Sequence, residues 1–256
     1  MNRISRLLSG LGALAAAALT VWAPALVAGE FTILPLRVSL DRTSKAAEVV
    51  VRNEGRNPLR MQVEAMSWRQ DAEGSDRYEP AEGLIFFPRS LEIPPGESRV
   101  VRVGVRATPV TREETYRLFI EELPPADTPA TLPGTTTVRV LLRVGVAVFV
   151  APLQQERNAA ISRLEMKVGQ VQWAVANAGT VHFVADRVEL AAVAHDGTRL
   201  HVQQYQERYF LAGVEKPLRA AIPREVCPKV ASIEAMVAGE NVDLRRKIDV
   251  EPGACS

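Results

Sequence analysis

The segment from Val138 to Val150 constrains this chain more than any other. It reads Val-Arg-Val-Leu-Leu-Arg-Val-Gly-Val-Ala-Val-Phe-Val and is followed by Ala151-Pro152. Every second residue is branched and aliphatic: Val138, Val140, Leu142, Val144, Val146, Val148 and Val150. Side chains of an extended segment alternate between two faces, so this row lies on one side of a strand. The other row is Arg139, Leu141, Arg143, Gly145, Ala147 and Phe149. Its 13 residues exceed the usual strand length of about five to six. Pro152, with no backbone N–H, ends it.

The remainder of the chain supplies a sheet for such a strand. Period-two alternation and β-branched residues recur at 48–53, 61–68, 84–88, 99–106 and 115–123. Turns fall between them at Asn53-Glu54-Gly55-Arg56-Asn57-Pro58 and Ile93-Pro94-Pro95-Gly96-Glu97-Ser98. The stretch 70–76 is polar, and 124–135 is a loop rich in Pro, Thr and Gly. Beyond Pro152 the pattern restarts at 161–168, 171–176, 183–193, 199–205 and 233–238, with turns at Asn177-Ala178-Gly179 and His195-Asp196-Gly197. No long amphipathic helix is evident. The fold class expected is all-β, with two β-sandwich domains over 29–150 and 151–256 joined by a short elbow at 151–157.

Residues 1–28 stand apart. Arg3 and Arg6 precede an almost continuously apolar stretch at 7–21, and small residues follow through Gly29. That is the pattern of a secretory signal peptide, with the cut expected between 25 and 29. The apolar run is shorter than the ~20 residues a spanning helix needs, and no later stretch is long enough, so no membrane span is expected in the mature chain. An oxidising compartment gives Cys227 and Cys255, 28 positions apart, a structural reading as a disulfide. Their spacing is not that of a Cys-x-x-Cys redox pair.

Composition removes several function classes. With 31 basic and 30 acidic residues the formal charge is +1, and aromatic residues are 5%, so neither a basic field nor a stacking platform for nucleic acid is present. No zinc-protease, nucleophile-elbow, phosphate-loop or calcium-loop motif occurs. His182, His195 and His201 read as surface or rim residues, and Asp186 and Asp196 as strand-end and turn residues. No enzyme, cofactor or metal is expected.

The order of these features resembles the periplasmic chaperones of the chaperone–usher pilus pathway. The likeness is carried by Leu34-Pro35-Leu36-Arg37-Val38 as the first strand and Val49-Val50-Val51-Arg52-Asn53 as the second. It continues in Phe87-Pro88, in 91–98 with Val101-Arg102, and in Tyr116-Arg117 with Glu122-Leu123-Pro124. It covers 37–152, and the C-terminal half matches by size and strand content only. The resemblance implies two immunoglobulin-like sandwiches in the periplasm and a pilus (fimbrial) subunit as client. It also implies delivery of that subunit to an outer-membrane usher. In strand addition of this kind, one protein lends a strand to another's open sandwich. Aligned on Ala151-Pro152, Val138, Val140, Leu142 and Val144 are the expected donor positions, while 146–150 line the chain's own core.

The same alignment makes Arg37 the residue that binds the subunit's terminal carboxylate. A planar, permanently charged fork suits that task. The family's partner lysine on the long strand is here Ala147, and its basic residue before the closing proline is Ala151. Arg143, four residues from Ala147 on the same face, is roughly 13 Å away at strand rise. Arg37 alone, Arg37 with Arg143, and no carboxylate clamp are all open at this point. An exposed apolar strand edge invites self-association, which leaves a capped dimer in the free state as one expectation. The competing reading is an exported structural or adhesive two-domain module without a client.

Overall fold

The computed structural model describes residues 31–106, 110–124 and 140–255. The expected signal peptide and donor residue Val138 lie outside them. The N-terminal half is built from Phe31–Leu34 (β1), Arg37–Leu40 (β2), Ala46–Asn53 (β3), Leu59–Gln70 (β4), Asp76–Pro80 (β5), Leu84–Phe87 (β6), Ser90–Ile93 (β7), Ser98–Val105 (β8), Glu114–Glu122 (β9) and Arg143–Val150 (β10). One sheet has the order β1-β3-β8-β6, and the other runs β2-β10-β9-β4-β5 with β7 also on β4. Their inner faces enclose one core that includes Val49, Val51, Met61, Ile93, Val101, Leu118, Ile120, Val146 and Val148. Alternation explains the arrangement: β3 from Val49, and β4 as far as Ala65, bury every second residue and turn residues such as Arg52, Arg60 and Glu64 to water, while Trp68 further along β4 is buried on the opposite face.

The C-terminal half continues with Ala159–Lys167 (β11), Gln170–Asn177 (β12), Phe183–Val193 (β13), Arg199–Tyr205 (β14), Tyr209–Phe210 (β15), Glu215–Ala221 (β16), Ser232–Glu240 (β17) and Val242–Asp249 (β18). Sheets β11-β12-β16 and β14-β13-β17-β18, the latter with β15 on β13, close over Trp173, Leu190, Phe210 and Ile233. Cys227 and Cys255 form a disulfide, with Cys227 buried in this core. The protein is all-β, with two immunoglobulin-like sandwiches.

The two halves repeat one device. Asn53 is buried at the end of β3, where its Nδ2 donates to the carbonyls of Asn57 and Ile93 and its Oδ1 accepts from Gly55 N–H. Asn177 is buried at the end of β12, where its Nδ2 donates to Val181 and Phe210 carbonyls and its Oδ1 accepts from Gly179 N–H. Each satisfies turn backbone that would otherwise be buried without partners.

Three expectations change. The expected first strand is split at Pro35: β1 pairs with β3 in one sheet and β2 with β10 in the other. A residue without an N–H sits where the chain switches sheets. The long strand is shorter than its 13-residue pattern among the described residues. Its last bond to β9 runs from Glu122 N–H to the Leu142 carbonyl, and Leu123 N–H then turns to Arg60 on β4, so the described residues before Leu142, Val140 and Leu141, have no ladder partner. The polar stretch 70–76 hides strand ends, since β4 reaches Gln70 and β5 starts at Asp76.

Candidate functional site

Two neighbouring features stand out: one side of β10 and the cleft at its foot. Along Arg143–Val150 the strand pairs antiparallel with β9. On its other side β2 runs parallel but covers only Ala147 to Val150. The Glu122–Leu142 bond sets the alternation: even-numbered residues exchange bonds with β9, and odd-numbered ones point the other way. Ala147 N–H accordingly donates to Leu36 and Ala151 N–H to Leu40. Arg143 and Gly145 point the same way, beyond the end of β2. Among the described residues no strand pairs with them on that side, an open edge on which only the Gly145 carbonyl meets a side chain, that of Arg117.

Side-chain exposure changes along the same segment. Val146, Val148 and Val150 are buried in the N-terminal core, as expected. Val144 packs against that core from its margin, Leu142 is half-buried, and Val140 is 72% exposed. The aliphatic row thus leaves its own core as it passes the end of β2.

At the foot of the edge, β2 holds Arg37 opposite Ala147. Val38 and Leu40 point into the core, so Arg37 faces outward into a cleft of about 240 Å³ between the lobes. Glu240 and Asn241 of the C-terminal lobe line its other wall. Ala147 is buried with Trp68, Phe149 and Leu211, so the place of the family's lysine is filled by apolar packing. Arg117, opposite Ala147 on β9, stacks over Trp68 at 3.8 Å and reaches the Gly145 carbonyl at 3.3 Å.

The structure does not bring Arg143 to Arg37. Arg143 meets Glu64 at 3.0 Å and Glu121 at 3.4 Å and stacks over Phe119. His182 lines the same cleft but is largely buried rather than on the surface. Its ring lies 3.6 Å from Phe149, and Glu113 accepts both its backbone N–H at 2.8 Å and its Nδ1 at 2.7 Å. A domain junction, invisible to local patterning, makes the difference. His195 lies in the turn between β13 and β14, and His201 within β14. Among the described residues no group of three or more His, Cys, Asp or Glu is placed to hold a metal. Glu113, Glu240 and Trp68 were not singled out by the sequence, because their partners lie far away along the chain.

The described residues thus form a two-lobed sandwich with an open strand edge above a cleft lined by Arg37. Residues 30–155 match the family of pili and flagellar-assembly chaperones, PapD N-terminal domain. The N-terminal sandwich belongs to that family, and the protein is a pilus-assembly chaperone, not an enzyme. Similar folds occur in a chain of the CsuC–CsuE chaperone–tip adhesion subunit pre-assembly complex of Acinetobacter baumannii (TM-score 0.57, 18% identity, covering 85% of this chain and 97% of that one). A chain of the Salmonella enterica SafA pilin–SafB chaperone complex is likewise similar (TM-score 0.55, 16% identity, 86% and 97% covered). So is the class 5 fimbriae chaperone CfaA (TM-score 0.55, 15% identity, 87% and 100% covered). No curated protein matches.

Proposed function

We propose that the protein, exported to the periplasm and freed of residues 1–28, holds a pilus subunit by donating the edge of β10. It then passes the subunit to an outer-membrane usher. Residues 29–150 act as the chaperone domain and 151–256 as its companion, divided where β10 ends. The observation that carries this reading is the side of Arg143 to Val146 that no described strand covers, continuous with the emerging side chains of Leu142 and Val140. An incoming strand would pair with Arg143 and Gly145 and bury the aliphatic row. Each such side chain contributes about 1.5–3 kcal/mol when fully buried, before ordering costs. Arg37 then binds the subunit's terminal carboxylate without the family's lysine. Pilus chaperone–subunit complexes among the similar structures support a subunit as partner.

The test is co-expression with a tagged pilus subunit from the same genome. Val140→Glu and Leu142→Glu leave the chaperone folded by circular dichroism but reduce the recovered subunit at least about tenfold, as burial of a carboxylate against apolar surface demands. Undiminished recovery with both variants overturns strand donation.

A further inference from the structure

We propose that Glu240 is a built-in stand-in for the client's terminal carboxylate, occupying Arg37 until a chain end displaces it. The inference rests on the reading of Arg37 as the anchor. Glu240 is the last residue of β17, and Asn241 turns the chain into β18 with φ +62°. Asparagine tolerates that left-handed conformation better than most residues, which fixes Glu240 at a tight corner. The corner projects its carboxylate across the cleft to the other lobe, 203 positions away in sequence.

The contact is of a replaceable kind. Both Nη1 and Nη2 of Arg37 reach the same oxygen, Oε2, at 2.9 Å. A guanidinium fork binds best when each arm meets its own oxygen. Glu240 supplies one oxygen, whereas a free chain end can present two. The side chains are also 41% and 56% exposed, and exposed ion pairs have little net strength. Other acids lining the cleft are engaged elsewhere: Asp41 by Thr43 and Ser44 of its own turn, Glu113 by His182. Glu240 therefore keeps Arg37 aimed into the cleft and sets a threshold that a neutral chain end cannot cross.

The probe is a fluorescently labelled decapeptide of alternating Val and Thr, made with a free C-terminal carboxylate and as its amide. Binding to the wild-type protein, Glu240→Gln and Arg37→Ala is followed by fluorescence anisotropy, with melting curves verifying that each is folded. Glu240→Gln binds the carboxylate peptide about two- to fivefold more tightly than wild type, the scale of an exposed pair, and the amide unchanged. Arg37→Ala binds both peptides alike. A wild type that prefers the carboxylate peptide by no more than Arg37→Ala does overturns the anchor itself. A wild type that prefers it, with no gain in Glu240→Gln, overturns the stand-in and leaves the anchor in place.

Discussion

Tyr116 shows how one side chain ties the N-terminal core to its surroundings. It is buried, and its hydroxyl donates to Glu114 at 2.9 Å. Gly83 lies against that hydroxyl so closely that a Cβ there would come within 2.4 Å of it. Burial first, then the hydrogen bond to Glu114 and its negative charge, push the phenol well above the ordinary range near about 10. The sign follows from linkage. The folded state keeps its proton at a pH where the unfolded state has lost it. The stability this contributes is whole below about pH 10 and falls as pH rises from there toward the folded value. Tyr116→Phe lacks that titration. Urea titrations between pH 9 and 11 should show wild type losing stability relative to Tyr116→Phe as pH rises. Parallel curves would refute the assignment. At this scale Asn53 was legible as a strand-ending residue, but the carbonyls it satisfies were not, because Ile93 is 40 positions away.

At the scale of the strand, β10 has two edges in different states, and amide exchange reads each one. Val144 and Val146 face β9, whereas Arg143 and Gly145 face the side that no described strand covers. In the free monomer the amides of Arg143 and Gly145 should exchange at least about tenfold faster than those of Val144 and Val146, since only the latter are ladder-bonded. Addition of a pilus subunit should slow all four. Equal protection in the free monomer would mean the edge is already covered, as in a capped dimer. This strand was also the most legible part of the sequence, because alternation reports which residues share a face. Alternation does not report where a neighbour stops, so the point at which the row leaves its core emerges only from the start of β2 at Arg37 and the end of β9 at Glu122. Strands with few aliphatic residues escaped for a related reason. β16 contains Lys216 and Pro217, and β18 carries Arg245, Arg246 and Lys247, yet β16 buries alternate residues and β18 pairs with β17 throughout.

For the whole molecule, the question is whether the lobes move as one. Inter-domain contacts in general permit relative motion unless they are large and apolar. Here Trp68, Phe149 and Leu211 are buried together, and Tyr209 meets the Trp68 ring edge-on at 5.2 Å. Gln70 adds a bond to the Tyr209 carbonyl and accepts from Leu211 N–H. Glu113 contributes the most desolvated polar link, since its side chain is 4% exposed and accepts two donors from His182. This link joins the lobes although Ala151 lacks the charge the family places before the closing proline. Removing the acceptor leaves a backbone N–H and an imidazole without a partner, at a cost of about 1–3 kcal/mol. Glu113→Ala should therefore weaken the junction and separate calorimetric unfolding into two transitions. Glu113→Gln retains one acceptor oxygen and should fall between the two. The same loosening should swing Glu240 away from Arg37, so Glu113→Ala should share part of the gain expected of Glu240→Gln toward a free chain end. A single transition at the wild-type temperature would show that the apolar cluster alone holds the lobes, with the Glu113–His182 pair incidental to their coupling.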